Sequence, residues 1–261
     1  MSAPGPKVSL PGGVEQGTDR ALAVSVIVPC YNERESVIGT LQRVQESLAT
    51  FGQTQVIVVD DGSTDGSGDL LDRSAEFFTI LVRHERNVGK GAAIRTGLKH
   101  AQGEVVLIQD ADSEYWPEDY PQLVEPILKG EADAVYGRRV TRDPRARRAL
   151  AYSGSVRFFS WLVRLLSRLP VRDVATCYKA FRREILQEVD CLERGFSWDV
   201  EVTLKIARQR HVRFREVEIR YSPRTHAEGK KLRWWHGIRY LWTILRHGVP
   251  TWLQRTRSRA R

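Results

Sequence analysis

Short runs of Val, Ile and Leu alternate with segments of helical spacing through the first half of the chain. Apolar side chains at intervals of three and four, as in Val37, Leu41, Val44 and Leu48, predict the intervening helices. This alternation is typical of an α/β fold in which a mostly parallel central sheet is flanked by helices. The predicted strands are residues 24–29, 55–59, 79–82, 105–108, 132–136 and, later in the chain, 212–221.

Acidic residues follow two of these predicted strands. Asp60 and Asp61 follow one, and Asp110, Asp112 and Glu114 follow the other. The carboxyl ends of parallel strands meet at one edge of a sheet, which is where ligands bind in open α/β folds. Carboxylates spaced in this way can share one Mg²⁺ or Mn²⁺ ion with the phosphates of a substrate. Taken alone, either group of acids could instead belong to a solvated turn that caps the next helix. The metal interpretation therefore depends on both groups being present.

Positive charge is concentrated in two segments. The chain has 41 Lys and Arg against 32 Asp and Glu, a net charge of +9. Residues 138–172 hold ten Arg against one Asp, and residues 224–261 hold ten Lys and Arg against one Glu. Both segments also carry apolar residues at helical spacing, which favours amphipathic helices in a membrane interface. The alternative is that each apolar stripe packs on the sheet as core.

Composition also predicts the domain boundaries and the cellular compartment. Residues 1–20 are rich in Gly, Pro and Ser, and we expect a disordered leader there. Residues 21–231 are the predicted catalytic domain, and residues 232–261 the predicted amphipathic helix and basic tail. No run of apolar residues is long enough for a transmembrane helix. The three cysteines lack Cys-x-x-Cys spacing, which indicates reduced thiols in a cytoplasmic protein and no zinc site.

Four motifs carry a resemblance to a known family. They are V-I-V-P-C-Y-N-E from residue 26, V-V-D-D-G-S-T-D from residue 58, N-V-G-K-G from residue 87 and D-A-D-S-E-Y from residue 110. In this order they resemble the family 2 glycosyltransferases of GT-A fold. The pattern is most similar to polyprenyl-phosphate (dolichyl-phosphate) mannosyltransferases, and the similarity runs from about residue 24 to residue 230.

The resemblance implies roles for individual residues. A nucleotide-sugar donor would be bound by Pro29, Tyr31, Glu33, Val59, Asp61, Asp110, Ala111, Asp112, Arg139, Arg224 and Lys230. A Mg²⁺ or Mn²⁺ cofactor would be held by Asp110, Asp112 and Glu114. The acceptor phosphate is assigned to Arg148 and Ser153, and residues 173–182 and 198–201 correspond to acceptor-side segments. The predicted catalytic residues are Asp112, Arg139 and Glu201.

These expectations define one principal function and two alternatives. The principal one is inverting transfer of a hexose, mannose from GDP-mannose, to a polyprenyl phosphate at the cytoplasmic face of the membrane. A phosphate acceptor is already anionic, whereas a hydroxyl acceptor needs a general base, for which Asp199 and Glu201 are candidates unless they are only helix N-terminal charges. The alternatives are a soluble family 2 enzyme that transfers from UDP-glucose or another donor to a hydroxyl, and a basic nucleic-acid-binding protein. The paired acids argue against nucleic acid as a partner.

Overall fold

The computed structural model describes residues 6–9, 22–140, 154–209, 211–224 and 235–257. Eight strands in these ranges form one mixed sheet. Along the chain they are β1 (Lys7–Ser9), β2 (Val24–Cys30), β3 (Thr54–Asp60), β4 (Ile80–Arg83), β5 (Val105–Ile108), β6 (Ala134–Val140), β7 (Lys179–Arg182) and β8 (Phe214–Arg220). Across the sheet the order is β1-β4-β3-β2-β5-β7-β6-β8.

Parallel pairing dominates the middle of this sheet. Strand β2 pairs in parallel with both β3 and β5, and β3 pairs in parallel with β4. Strand β7 runs antiparallel to both of its neighbours, β5 and β6, and β8 then pairs in parallel with β6. The mostly parallel central sheet predicted from the sequence is therefore confirmed, with β7 reversed between β5 and β6 and β1 reversed at the edge beside β4.

Helices cover both faces of the sheet. They are α1 (Val37–Leu48), α2 (Ser67–Asp72), α3 (Lys90–Leu98), α4 (Tyr120–Leu128), α5 (Gly154–Ser167), α6 (Arg183–Gln187), α7 (Trp198–Ile206) and α8 (Trp235–Arg257). Alternate residues of each strand enter opposite core layers, because successive side chains of a strand point to opposite faces. Ile27 joins the layer that contains residues of α3, α7 and α8, whereas Val26 and Val28 join the layer that contains residues of α1 and α4.

Two parts of the sheet differ from the sequence prediction. Residues Lys7–Ser9 form an edge strand paired with β4, so the disordered leader predicted for residues 1–20 is wrong at these positions. The rest of that leader, apart from residue 6, lies outside the described residues. Strand β7 was not predicted, because its sequence Lys-Ala-Phe-Arg is only four residues long and has a charged residue at each end.

The loops after β2, β3 and β5 meet at the carboxyl edge of the sheet. Cys30 at the end of β2 is paired with Asp60 at the end of β3, and Ile27 is paired with Ile108 at the end of β5. A bridge between Tyr115 and Tyr221 brings the segment after β8 over the same edge. Four separate parts of the sequence therefore converge there.

Candidate active site

The loop that follows β5 carries the acidic residues Asp110, Asp112 and Glu114. Two hydroxyl groups at the start of α1 hold its backbone in place: Ser36 donates to the carbonyl of Ala111 at 3.0 Å, and Thr40 donates to the carbonyl of Asp112 at 3.0 Å. Burial, together with the charges of Asp110 and Glu114, raises the pKa of Asp112 to about 7. The carboxylates are therefore close enough to repel one another, as expected of a site that binds cations.

Arg224 bridges two of the predicted site residues. Its guanidinium donates to Glu33 through both terminal nitrogens, at 2.9 and 3.1 Å, and to Oδ2 of Asp112 at 2.6 Å. Glu114 fixes the backbone of the same loop, since its carboxylate accepts from the Arg224 N–H at 2.7 Å and from the Tyr221 hydroxyl at 3.0 Å. Both carboxylate oxygens of Glu114 are thus engaged in positioning Arg224.

Asp61 lies at the adjacent loop, after β3, and only 2% of it is exposed. Its carboxylate accepts hydrogen bonds from the backbone N–H groups of Val88 and Gly89, at 2.9 and 2.7 Å. A ring nitrogen of His84 lies 2.6 Å from the same carboxylate. Asp61 therefore fixes the Asn87–Gly91 turn that leads into α3.

This turn delivers Lys90 to the acidic loop. The ammonium of Lys90 lies 2.5 Å from Oδ1 of Asp110 and 2.8 Å from the sulfur of Cys177. Burial alone would raise the pKa of Asp110, but the charge and hydrogen bond of Lys90, the hydrogen bond from Cys177 and the charge of Lys179 together hold the pKa below its ordinary value. The sequence prediction assigned no site role to Lys90, because its motif is not that of a phosphate-binding P-loop.

Arg139 is paired with a residue of the predicted acceptor-side segment. Its Nε and Nη2 donate to the two oxygens of Asp173, at 2.7 and 2.8 Å, and the guanidinium lies 5.0 Å from the ring centre of Tyr221. Tyr221 in turn donates to Glu114. Arg139 is therefore connected to the acidic loop through one tyrosine, and its contact with the donor stays a prediction.

The remaining predicted nucleoside contacts lie on β2, β3 and the loop after β2. Pro29 is half-buried and paired across the sheet with Val59, whose side chain is fully buried in the core. Tyr31 is half-buried in the loop that follows Cys30. A ligand contact at Val59 would accordingly come from its backbone.

Glu201, a predicted catalytic residue, has no exposed side-chain surface. Its carboxylate accepts hydrogen bonds from the backbone N–H groups of Leu192 and Glu193, at 2.7 to 2.9 Å, and lies 2.8 Å from the Lys205 ammonium. These hydrogen bonds overcome the effect of burial and lower the pKa of Glu201. Such contacts favour a positioning role, and the general-base role stays a hypothesis.

Behind the site, Lys179 and Asp199 form an ion pair of 2.5 Å whose side chains are 0% and 4% exposed. The Lys179 ammonium also donates to the carbonyls of Val174 and Thr176 and lies 5.0 Å from the ring centre of Tyr136. The pair therefore fixes the segment that contains Asp173 and Cys177. Lys179 lies in the predicted acceptor-side segment, but nothing in the sequence indicated that it is buried, because a lysine is almost never fully buried unless it is paired.

The acidic loop fits a divalent cation that is shared with a ligand. Within the described ranges, no three His, Cys, Asp or Glu side chains converge closely enough to hold a metal ion by themselves. Mg²⁺ is commonly held by one or two carboxylates, with substrate phosphates and water completing the shell. Asp110 and Asp112 supply two such carboxylates, which are neutralised here by Lys90 and Arg224. The predicted residues Lys230, Arg148 and Ser153 lie outside the described residues.

Helices α5 and α8 form a second notable surface. Gly237 lies against Phe159 and Gly248 against Leu166, so the two helices run side by side in the same direction. Their inward faces mix apolar and polar residues: Val163 and Ile244 are fully buried, and so largely are Ser160, Ser167, Tyr240, Thr243 and His247. We call the opposite, exposed face the two-helix platform; it consists of Phe158, Trp161, Leu165, Ile238, Leu241, Trp242 and Leu245, which are 40% to 65% exposed.

In α5, Ser160 and Ser167 follow Arg157 and Arg164 at helical spacing but do not share their exposed face. Both serines point inward instead, and Ser160 accepts a hydrogen bond from the Val174 N–H at 3.0 Å. Among the described residues, none of the helices has the length and apolarity needed to span a bilayer.

Comparison with known proteins agrees with this geometry. The model of the family described as glycosyl transferase family 2 matches residues 25–190. An undecaprenyl-phosphate mannosyltransferase of Micrococcus luteus is 32% identical over 223 residues, which cover 80% of this chain and 87% of that protein. An undecaprenyl-phosphate 4-deoxy-4-formamido-L-arabinose transferase of Aeromonas hydrophila is 30% identical over 211 residues. That match covers 79% of this chain but only 62% of the longer relative, so the chain spans less than two thirds of it.

Solved structures give the fold. Glucosyl-3-phosphoglycerate synthase from Mycobacterium tuberculosis superposes with a TM-score of 0.68 at 20% identity, covering 87% of this chain and 81% of that one. The same enzyme in complex with Mg²⁺ and uridine diphosphate gives a TM-score of 0.67 at 19% identity, covering 87% and 79% of the two chains. The GT-A fold implied by the sequence motifs is therefore confirmed.

Proposed function

This chain belongs to glycosyl transferase family 2, and we propose that it transfers a hexose from a nucleotide-sugar donor to a polyprenyl phosphate at the surface of a membrane. The observation that carries this proposal is the joint presence of two features. One is an acidic loop surrounded by buried cations at the carboxyl edge of a GT-A sheet. The other is an exposed apolar platform on the same chain.

The donor half of the site is suited to a nucleoside diphosphate. Asp110 and Asp112 would hold Mg²⁺ or Mn²⁺, which supplies charge neutralisation for the departing diphosphate. Arg224 and Arg139 add cationic groups on the same side, and a planar guanidinium pairs well with phosphate oxygens. With Pro29, Tyr31 and Asp61 on the neighbouring loops, these residues would orient the donor so that its sugar faces the acceptor.

The proposed donor is GDP-mannose, and the transfer is inverting. The acceptor phosphate would attack the anomeric carbon from the face opposite the departing diphosphate, and its oxygen is already anionic near neutral pH. The enzyme then needs to position this phosphate and does not need to remove a proton. The hydrogen bonds that engage Glu201 support a reaction of this kind, since they leave it unsuited to act as a base.

The two-helix platform supports the lipid acceptor. In a helix that faces water, apolar residues normally point inward and polar residues outward, and both α5 and α8 depart from this arrangement by also exposing large apolar side chains. Arg157 and Arg164 lie beside the exposed apolar stripe of α5, and Arg239 and Arg246 lie beside that of α8. Helical geometry places each arginine pair on the outer side of its own stripe, away from the other helix.

An apolar strip flanked by arginines matches the interface of an anionic membrane. We accordingly propose peripheral binding at the cytoplasmic face of the membrane. A polyprenyl chain could then remain in the bilayer while its phosphate enters the site.

The full chain should be incubated with MnCl₂, short-chain polyprenyl phosphate and a panel of labelled nucleotide sugars that includes GDP-mannose and UDP-glucose. We expect a labelled product that extracts into organic solvent. The product should be lost in Asp112→Asn and retained in Asp69→Asn, a matched change at an exposed carboxylate of α2. If no donor gives a lipid-linked product, the proposed acceptor is wrong. If UDP-glucose alone gives a product, UDP-glucose replaces GDP-mannose as the donor.

A further inference from the structure

Lys90 is the first residue of α3 and lies inside the proposed donor site. Its side chain is only 11% exposed, and that of its partner Asp110 is 17% exposed. A cation at the N-terminus of a helix is opposed by the helix dipole, which favours an anion there. The ion pair with Asp110 therefore stabilises the Lys90 ammonium at this helix end. The helix dipole and the ammonium both favour a further anion there.

The backbone that carries Lys90 is held from two sides. Asp61 accepts from the N–H groups of Val88 and Gly89 on one side, and on the other the N–H of Ala92 donates to the carbonyl of Arg194 at 3.1 Å. Gly89 has a φ of +107°, and a Cβ there would collide with the Arg194 carbonyl oxygen. The turn therefore has little freedom to move as a unit.

The side chain of Lys90 does have freedom, because four methylene groups separate the ammonium from this fixed backbone. A change of rotamer can move the charge by several ångströms while the turn stays in place. In the structure that charge lies on Asp110, one of the two carboxylates that fit a divalent ion.

A divalent cation and an ammonium cannot share one carboxylate oxygen in a buried site without strong repulsion. We propose that Lys90 is an internal counter-ion of Asp110, which leaves that carboxylate when a divalent cation binds and then pairs with the diphosphate of the donor. This inference rests on the proposed function, because it takes a nucleoside diphosphate to be the ligand. Its consequence is that metal and nucleotide bind cooperatively and that Lys90 is the side chain that couples them.

The coupling has a simple origin. Without nucleotide, metal binding displaces the ammonium of Lys90 into a site whose nearby carboxylates, in the part of the chain that the structure describes, already have cationic partners: Asp112 is paired with Arg224, and Asp199 with Lys179. With nucleotide present, the displaced ammonium finds new anionic partners in the two phosphates. The nucleotide thus removes the penalty that Lys90 imposes on the metal.

The test is a calorimetric titration of the full-length, metal-free chain with MnCl₂, alone and in the presence of GDP or UDP. For the wild-type chain we expect weak binding of Mn²⁺ alone, and an affinity that nucleotide raises by about 5- to 150-fold. In Lys90→Met, Mn²⁺ alone should bind at least about tenfold more tightly than in the wild type, and nucleotide should add correspondingly less. Lys99→Met removes an exposed lysine after the same helix and should behave as the wild type.

Lys90→Arg separates charge from shape, because it retains the cation and should keep Mn²⁺ binding weak without nucleotide. Equal Mn²⁺ affinity in wild type and Lys90→Met, or an Arg variant that behaves like the Met variant, overturns the proposal. If Lys90→Met does not fold, ¹⁵N-lysine NMR of the wild-type chain decides. The Lys90 ammonium signal should shift with Mg²⁺ and GDP or UDP together and much less with Mg²⁺ alone; equal shifts overturn the proposal.

These titrations contain no acceptor and no transferred sugar. A chain that shows the coupling but makes no lipid-linked product would refute the proposed acceptor and leave the role of Lys90 intact. A chain that makes the product without the coupling would refute the role of Lys90 alone.

Discussion

The guanidinium of Arg224 lies 2.6 Å from Oδ2 of Asp112 and also pairs with Glu33, so one cation neutralises two carboxylates from different loops. Glu33 and Asp112 are 9% and 8% exposed, and neither has enough water around it to carry its charge alone. The donor site is therefore held together by a cation from the segment that follows the last strand.

Removing that cation should destabilise the metal-free protein. We expect Arg224→Met to lower the free energy of unfolding by about 3–5 kcal/mol, since it removes the cation that is paired with the buried carboxylates of Asp112 and Glu33. Mn²⁺ should restore part of this loss by replacing the missing positive charge. The measurement is urea denaturation with and without MnCl₂.

The matched control is Arg215→Met, which breaks an exposed pair with Glu131 and should cost less than about 1 kcal/mol. Equal losses in the two variants would show that Arg224 is an ordinary surface charge.

The two-helix platform should bind membranes through its apolar residues. Trp161→Ser and Trp242→Ser each remove an exposed indole, and burial of such a side chain in a bilayer is favourable by about 1.5–3 kcal/mol. Each variant should therefore float with anionic liposomes about tenfold less well, whereas thermal stability should be unchanged. Val8→Ser, on the edge strand β1, is the control for loss of an exposed apolar residue elsewhere.

Wild-type protein that stays in the load fraction at every lipid composition would contradict membrane binding. That outcome would favour a soluble enzyme with a hydroxyl acceptor.

We expect Glu201 to contribute by holding the backbone of Leu192 and Glu193 in place. Glu201→Gln places an amide against the N–H groups of Leu192 and Glu193, so we expect a loss of about 3 kcal/mol in the free energy of unfolding. The segment it supports packs against the Lys90 turn, and KM for the donor should rise more than kcat falls. A kcat reduced about 10²- to 10⁴-fold, with unchanged stability and KM, is instead the signature of a general base.

Removing one partner of the buried pair of Lys179 and Asp199 should lower the free energy of unfolding strongly. Replacing both partners with apolar residues should lower it much less. Asp199→Asn leaves an ammonium with no counter-charge at 0% exposure, so unfolding should become easier by about 3–5 kcal/mol. The double change Lys179→Met and Asp199→Leu should recover most of that loss, because an apolar pair needs no desolvation of charge. Chemical denaturation of the wild type and these two variants measures the difference, and a double variant that loses as much stability as Asp199→Asn would contradict this account.

His247 should make stability depend on pH. Burial lowers the pKa of His247 below the free-chain value of 6.5, and Lys205, Arg246 and Arg208 add to this against the opposing charge of Glu201. Below pH 6.5 the unfolded chain therefore binds more protons, and stability falls as the pH drops toward the lower pKa of the folded state.

The contribution of this one group to the slope cannot exceed about 1.4 kcal/mol per pH unit. Stability curves of wild type and His247→Asn should diverge between pH 6.5 and the folded-state pKa. Curves that stay parallel through this interval would rule out His247 as the titrating group.

The sequence by itself determined six of the eight strands described in the sheet, and the edge at which the site lies. Runs such as Val105–Ile108 are local signals, since strand propensity and apolar periodicity are properties of a few consecutive residues. Asp110 and Asp112 follow directly on such a run, so their place at the carboxyl edge required no knowledge of distant contacts. The family motifs point to the same edge, because they are the loops that leave it.

Only the tertiary structure decided which charges meet. Arg224 and Glu33 are separated by 191 positions and Lys90 and Cys177 by 87, and no periodicity relates residues at such distances. The structure likewise decided which face of α5 and α8 is buried. Amphipathicity in a sequence shows that a helix has two faces, but packing alone determined that Ser160 and Thr243 face inward and that Trp161 and Trp242 face solvent.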